Sequence, residues 1–417
     1  MSDHQPTSHG AASHGSASHG SATVDTYQLE LSRWNAGRNA LALAALIGIV
    51  GCIVGYASNP EHFFLSYTVA FAYTTFIGLG AFFFVMVQYL TGSAWSVTMR
   101  RIMENLMMTL PVGLLLFIPI VIGMKYIYPW MNPQVVAASE ALRAKSGFLT
   151  QNFFIVRGII YFVLWSLWIG SIYRQSTKQD SERSIRQMHI ASKWSAPGLF
   201  LAVVVGTLAS FDWLMSLEPA WYSTIFGLVT LAGGSLSFFS VLTLVCLGFR
   251  KAGVLKNTIT LEHYHDLGKW MFCLTAFYTY VAFSQYMLIW YANLPEETIW
   301  YRHRMVGDWL PVSLAMPFLR FLIPFFVLLC RGAKRSLGVI TFIAIWSLVV
   351  EYIDLYWVVM PVRYKTGPEY HMFWLDAAAL LTTVSICGLM FWSRFRAHKM
   401  VPVGDLRLEQ SLHFENA

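Results

Sequence analysis

Charge is what this sequence has least of. Only 12% of its 417 residues are Asp, Glu, Lys or Arg, about half the share found in a soluble globular domain. So few charges cannot clothe a water-exposed surface of this size, which excludes an ordinary soluble fold. Cysteine is scarce too. Cys52, Cys246, Cys273, Cys330 and Cys387 stand singly inside apolar runs. Without CxxC or CxxCH spacing, iron–sulfur and c-type haem ligation within the chain are excluded, and buried spectator thiols are expected. None of the 12 histidines falls at the centre of an apolar run. A b-type haem at mid-membrane needs axial ligands there, so a cytochrome b is argued against; no metal site is expected.

Apolar surface is abundant instead: 56% of residues are hydrophobic and the mean hydropathy is +0.52. Runs near 20 residues, each able to cross a hydrocarbon core of about 30 Å, recur at 39–57, 63–90, 107–124, 152–172, 195–217, 222–249, 266–292, 312–331, 337–360 and 371–394. The expected fold is an all-α integral membrane protein of about ten transmembrane helices. Pro111, Pro119, Pro317 and Pro324 predict kinks in the third and eighth spans, which neighbouring helices can accommodate. Residues 1–24 have no apolar stretch and repeat Ser-His-Gly at 8–10, 13–15 and 18–20. They read as a disordered polar tail ahead of an uncleaved first span, with metal binding the lesser reading. Thr26 to Arg38 reads as an amphipathic lead-in.

The net charge of +7 marks membrane sidedness rather than a nucleic-acid partner. With both termini on one side, 19 Lys and Arg share that side against 7 opposite. The positive-inside rule then puts both termini in the cytoplasm.

The second and sixth spans match at an offset of 155: Tyr67/Tyr222, Phe71/Phe226, Thr75/Thr230, Gly78/Gly233, Phe83/Phe238 and Phe84/Phe239. The fourth and eighth match at 163 through Arg157/Arg320, and the fifth and ninth at 142 through Asp212/Asp354 and Pro219/Pro361. This predicts a parallel duplication. A tail and lead-in (1–38) and a first helix (39–62) precede four-helix bundles at 63–217 and 218–360. A last helix (361–394) and a tail (395–417) follow.

Ionisable groups inside spans are costly and therefore functional candidates. The repeat gives each bundle one Arg and one Asp, Arg157 with Asp212 and Arg320 with Asp354, expected in the outer half of the membrane. These read equally as a lined proton path and as ion pairs that fix packing. Glu351 lies one turn from Asp354, Asp376 lies in the last span, and Gln285 and Tyr286 lie deep in the seventh. Neighbouring carboxylates in low dielectric favour proton uptake, so these residues form the candidate proton path. His62, Arg157 and Asp212 are candidates for a quinone site. Asp308, His303, Glu296 and Glu297 read as a solvated rim; Lys269, His265, Asp266 and Glu104 read as ordinary interface residues.

Five stretches carry a family resemblance: GLGAFFFVMVQYLTGSAWSVTMRRIMENLM (78–107), MSLEPAWYSTIFG (215–227), FSQYMLIWYANLPEET (283–298), FLIPFFVLL (321–329) and VPVGDLRLEQSLHFEN (401–416). From about residue 39 onward the chain resembles the ActF family of NrfD/PsrC-like integral membrane subunits of bacterial alternative complex III, a quinol:electron-acceptor oxidoreductase. The resemblance implies ten spans in two bundles, in the bacterial inner membrane. It implies as partners the paralogous NrfD-like subunit ActC, a periplasmic iron–sulfur subunit, multihaem and monohaem cytochromes c, small membrane subunits, phospholipid and, further out, a terminal oxidase. Haems c and iron–sulfur clusters would sit in those partners. This chain would bind no redox centre, with quinone, quinol or lipid as its only candidate ligands. A quinone-binding subunit using the first bundle is one alternative. An independent secondary transporter is the alternative of another class, although its charges would lie off-centre for such a transporter.

Overall fold

The computed structural model describes residues 27–368 and 370–416. Ten of its helices are long and apolar enough to cross a membrane: α1 Leu31–Ser58, α2 Pro60–Leu90, α3 Val97–Ile127, α4 Gln151–Glu182, α5 Ile185–Leu217, α6 Phe226–Lys251, α7 Leu261–Ala292, α8 Trp309–Leu329, α9 Leu337–Val362 and α10 Phe373–Ala397. No strand occurs among the described residues. The protein is an all-α, multi-pass membrane protein. The His-rich repeat lies outside the described residues.

Several helices outrun the apolar segments that announced them. α4 continues to Glu182 and α5 begins at Ile185, because Lys, Arg, Gln and Glu are good helix formers that need not stop where the hydrocarbon does. The lead-in is not a separate element; from Leu31 it is the first turns of α1. The expected kinks take definite forms. α3 passes through a 3-10 turn at Leu110–Val112, and α8 through a π turn at Phe318–Leu322 between Pro317 and Pro324. Of the five cysteines, Cys52 and Cys246 are buried, but Cys273 and Cys330 are exposed. An apolar run in a membrane helix includes its lipid-facing side, so hydropathy alone does not predict burial.

α2 is the hub, touching α1, α3, α5, α6, α9 and α10. α4 lies against α3 and α5, and α7 against α6 and α8. α1 and α10 clasp each other through a stripe of small residues on α1, Ala45, Gly48, Cys52 and Gly55, as lipid-embedded helices that lack a hydrophobic driving force must. A Cβ on Gly51 would lie 2.7 Å from Ala378. Trp34 and Trp392 close one end, each indole N–H donating to the other residue's carbonyl, at 3.1 and 2.9 Å.

The repeat partners meet face to face. Gly80 and Gly234 let α2 and α6 approach through their backbones; a Cβ on Gly80 would lie 2.7 Å from the Gly234 carbonyl. Phe84 packs edge-on to Phe239, its equivalent, with centroids 4.7 Å apart. Equivalent residues in contact are what an approximate two-fold relation between α2 and α6 produces. The likeness fails at one end: Tyr67 is buried in α2, while Tyr222 is exposed ahead of the start of α6.

Candidate functional site

The in-membrane charges fall into separate clusters. In the first, Arg157 of α4 binds Asp212 of α5 in a fork, Nε to Oδ2 and Nη2 to Oδ1, both at 2.8 Å. Its Nη1 donates to the Phe148 carbonyl at 3.0 Å, and the Tyr161 hydroxyl donates to Asp212 at 2.7 Å. Phe148 and Phe153 lie 3.8 and 4.3 Å from the guanidinium carbon. One positive and one negative charge cancel, and their polar atoms are engaged by protein. Such a pair fixes the packing of α4 on α5. It offers no free atom to a quinone headgroup and so does not fit one.

In the second cluster, the π turn of α8 carries Arg320, 4% exposed, into a space between α6, α7 and α9. Its Nη2 pairs with Glu351 and lies 3.9 Å from Asp354 Oδ2. Tyr278 of α7 covers the guanidinium at 3.8 Å and donates its hydroxyl to Asp354 at 2.5 Å. Gly233 of α6 makes the room, since a Cβ there would lie 2.6 Å from Glu351 Oε1. Two carboxyls share one guanidinium. Arg320 Nε and Nη1, Ser347 Oγ and Thr275 Oγ1 are buried without hydrogen-bond partners, which is the signature of a site that internal water completes. Arg320 is the twelfth of the 21 residues of α8. The structure brings Arg320, Glu351 and Asp354 together as their spacing suggested.

His62, Asp376 and Tyr364 form a third cluster. Asn59 caps α2 by accepting the His62 backbone N–H at 3.1 Å, which points the imidazole inward. Its Nδ1 lies 3.0 Å from the Tyr364 hydroxyl and its Nε2 3.7 Å from Asp376 Oδ2. His62 Nε2 and both Asp376 oxygens are buried and unpartnered. The expected grouping of His62 with Arg157 and Asp212 is therefore not formed; α2 turns His62 towards α10, away from α4. Asp376 is also set apart from Glu351. Tyr352 lies between α9 and α10, donating to the Asp376 carbonyl at 3.4 Å.

Gln285 accepts from Ser223 at 2.8 Å and donates to the Tyr301 hydroxyl at 3.2 Å, and Tyr286 packs edge-on to Tyr301. Burial, above the opposing bond from Gln285, pushes the Tyr301 hydroxyl up to about 12. This group continues along α7 from Tyr278, two turns nearer the face opposite the termini. On that face Glu296 and Asp308 are exposed and Glu297 and His303 half-buried, whereas Arg304 beside them is 1% exposed. It stacks on Trp300 and bonds Glu218, which also takes His303 at 3.0 Å.

Sequence reading missed the network on the termini face. Glu104 is not an interface residue but fully buried. It accepts from Tyr89 at 2.6 Å, Ser176 at 2.7 Å and Arg101 at 3.0 Å. Arg101 also pairs with Asp180, and Arg100 with Asp405 of the carboxyl tail. Ser411 of that tail donates to the Trp95 carbonyl at 2.9 Å and accepts the Thr98 N–H at 3.2 Å. Partners up to 316 positions apart leave little local signal; the adjacent Arg100–Arg101 pair beside Glu104 in an apolar run was the only hint. Lys334, likewise buried, donates to the carbonyls of Leu328 and Leu329 at the end of α8, a cation on a helix C-terminus.

The fold and these clusters define a multi-pass membrane protein with paired acids inside the bilayer. Compared with known proteins, the chain matches no protein-family model and no curated sequence.

Proposed function

We propose that the chain is a haem-free integral subunit of a quinol-oxidising respiratory complex, ActF-like in kind, and that its Arg320–Glu351–Asp354 site relays protons. It lies in the bacterial cytoplasmic membrane with both termini inside. The observation that carries this is the ratio of two buried carboxyls to one guanidinium. Two ionised acids would leave a net negative charge in low dielectric, so one exchangeable proton shared by the pair balances the site. The unpartnered atoms of Arg320, Ser347 and Thr275 supply the polar lining that water needs to deliver it. Gln285 with Tyr286, and separately His62 with Asp376, are the polar groups nearer the outer face. Asp212, closed against Arg157, holds the scaffold and takes no part in the relay.

Electron transfer belongs to the partners that the resemblance implies: the paralogous ActC-like subunit, the iron–sulfur subunit, the cytochromes c and the small membrane subunits, with a terminal oxidase downstream. The chain anchors them. A quinone site in the first bundle gains no support from the satisfied Arg157–Asp212 pair. The test is purification from the native membrane. Co-purification with c-type haem is expected; isolation of the chain alone would favour a transporter. In the assembled complex, Glu351→Gln with Asp354→Asn should lower the protons released per quinol oxidised while leaving quinol oxidation itself in place. An unchanged proton ratio would overturn the relay.

A further inference from the structure

A notch of about 450 Å³ opens on the termini face between the first turn of α1, the last turns of α4 and the end of α10. The chain builds it by crossing back on itself: the Met400 N–H donates to the Tyr27 carbonyl at 2.8 Å, tying the segment after α10 to the segment before α1. Arg396 and Lys399 are exposed at its mouth. The Arg396 guanidinium leans over the Trp34 ring at 5.5 Å. The other titratable groups do not cancel this charge. Asp180 is turned towards Arg101 at 2.9 Å, a cation it shares with Glu104, and accepts the Gly404 N–H at 3.3 Å, which leaves Arg396 and Lys399 in excess of the one acid in the lining. Burial, followed by the nearby Arg101, pushes His398 below its ordinary value of 6.5, which disfavours its charged form. The notch is thus a cationic cup with hydroxyls from Thr177 and Ser181 and apolar walls from Trp34 and Phe395.

Its depth matters as much as its charge. Trp34 and Phe395 in its wall stand just beyond the apolar runs of α1 and α10, at the level expected for lipid headgroups, where Trp side chains concentrate. Below it the outer side of α1 presents Leu43, Leu46, Ile47 and Val50, each exposed. A basic pocket between membrane helices at this depth matches the phosphate of an anionic lipid, with acyl chains continuing along apolar helix surface. We propose that the notch seats the headgroup of an anionic phospholipid, its phosphate held by Arg396 and Lys399.

The full chain, stripped of lipid and returned to phosphatidylcholine nanodiscs containing phosphatidylglycerol, tests this by native mass spectrometry. Each basic residue near an anionic headgroup changes affinity about fivefold, so Arg396→Gln with Lys399→Gln should weaken phosphatidylglycerol retention about 30-fold. Arg302→Gln, on the opposite face, should leave it unchanged. Ser181→Trp fills the notch with both charges intact and should also release the lipid. Equal retention by the double variant, or no preference for phosphatidylglycerol over phosphatidylcholine, would overturn the proposal. So would inorganic phosphate alone competing the lipid away, which would mark a site for the free anion. Both altered side chains are exposed, and an unchanged unfolding midpoint in lipid-free detergent identifies the loss as one of binding.

Discussion

Glu351 holds the near side of Arg320, while Asp354, one turn further along α9, stays 3.9 Å from the same nitrogen and takes the Tyr278 hydroxyl instead. The guanidinium is shared unequally by two acids on one helix face. The first half of the chain solves the same problem with one acid, and Asp212 saturates Arg157. Positions matched by the repeat thus hold one acid against Arg157 and two against Arg320, and the difference is one added carboxyl, since the glycine beside it, Gly233, has its match in Gly78.

Removing the shared cation should be costly. Arg320→Met leaves two carboxyls buried without a counter-charge, for an expected loss of about 3–5 kcal/mol. Replacing Glu351 and Asp354 by Met and Asn in the same chain should recover most of it. Unfolding in detergent reads both; equal losses in the single and triple variants would mean that the charges do not interact.

The α2–α6 crossing tolerates no added atom. A Cβ on Gly234 would lie 2.4 Å from the Phe76 carbonyl oxygen, and backbone cannot step aside as a side-chain tip can. Gly234→Ala is expected to cost about 1–3 kcal/mol by overpacking and to disturb the Phe84–Phe239 contact. Gly248→Ala, with nothing within 4 Å of its new methyl, should stay within about 0.5 kcal/mol of the parent. Thermal unfolding of the two variants side by side distinguishes the crossing from a general intolerance of helix changes.

How much of this was legible in the sequence depended on range. The ten spans follow from apolar run length, which is a local property. The Arg320–Glu351–Asp354 cluster was half legible, because Glu351 and Asp354 share a helix face and Arg320 entered through the repeat. Tyr278, which completes the site, is a common residue on another helix and carries no mark, and Gly233 was marked only as a repeat match, not as a neighbour of Glu351. The repeat misled as well as helped: it implied two like Arg–Asp pairs, whereas Arg320 pairs with Glu351 and stays 3.9 Å from Asp354. The burial of Glu104, Arg100 and Arg101 was illegible because positive charge near a helix end tells which side it lies on, not whether the tail folds over it.

That tail should respond to acid. Burial raises the Asp405 carboxyl, but the guanidiniums of Arg100 and Arg407 outweigh it and hold the group below its ordinary value of 3.8. A carboxyl depressed by folding adds stability above its ordinary value and loses it as pH falls through the lower folded value. The strap should therefore stay docked from neutrality down to about pH 4 and loosen only below. Asp405→Asn removes the charge at every pH, leaves Arg100 buried and unpaired, and should expose residues 401–416 to protease at pH 7. Resistance equal to the parent's would show that Ser411, with Asn416 donating to the Glu262 carbonyl at 3.1 Å, holds the tail unaided.

His62 and Asp376 offer the sharpest test of internal hydration. Their facing atoms, 3.7 Å apart, are too far for a direct hydrogen bond, yet neither His62 Nε2 nor either Asp376 oxygen has another partner. Each buried polar group left unmade costs about 1–3 kcal/mol, so a bridging water is expected between them, visible as density in a high-resolution map. His62→Leu should strand the Asp376 carboxyl and destabilise the protein, as should Asp376→Leu through His62. The two together should cost less than the sum of the singles, because removing both partners removes the stranded group. Strict additivity, with no density between the pair, would mean that the two side chains are buried independently and that water does not reach the outer end of α2.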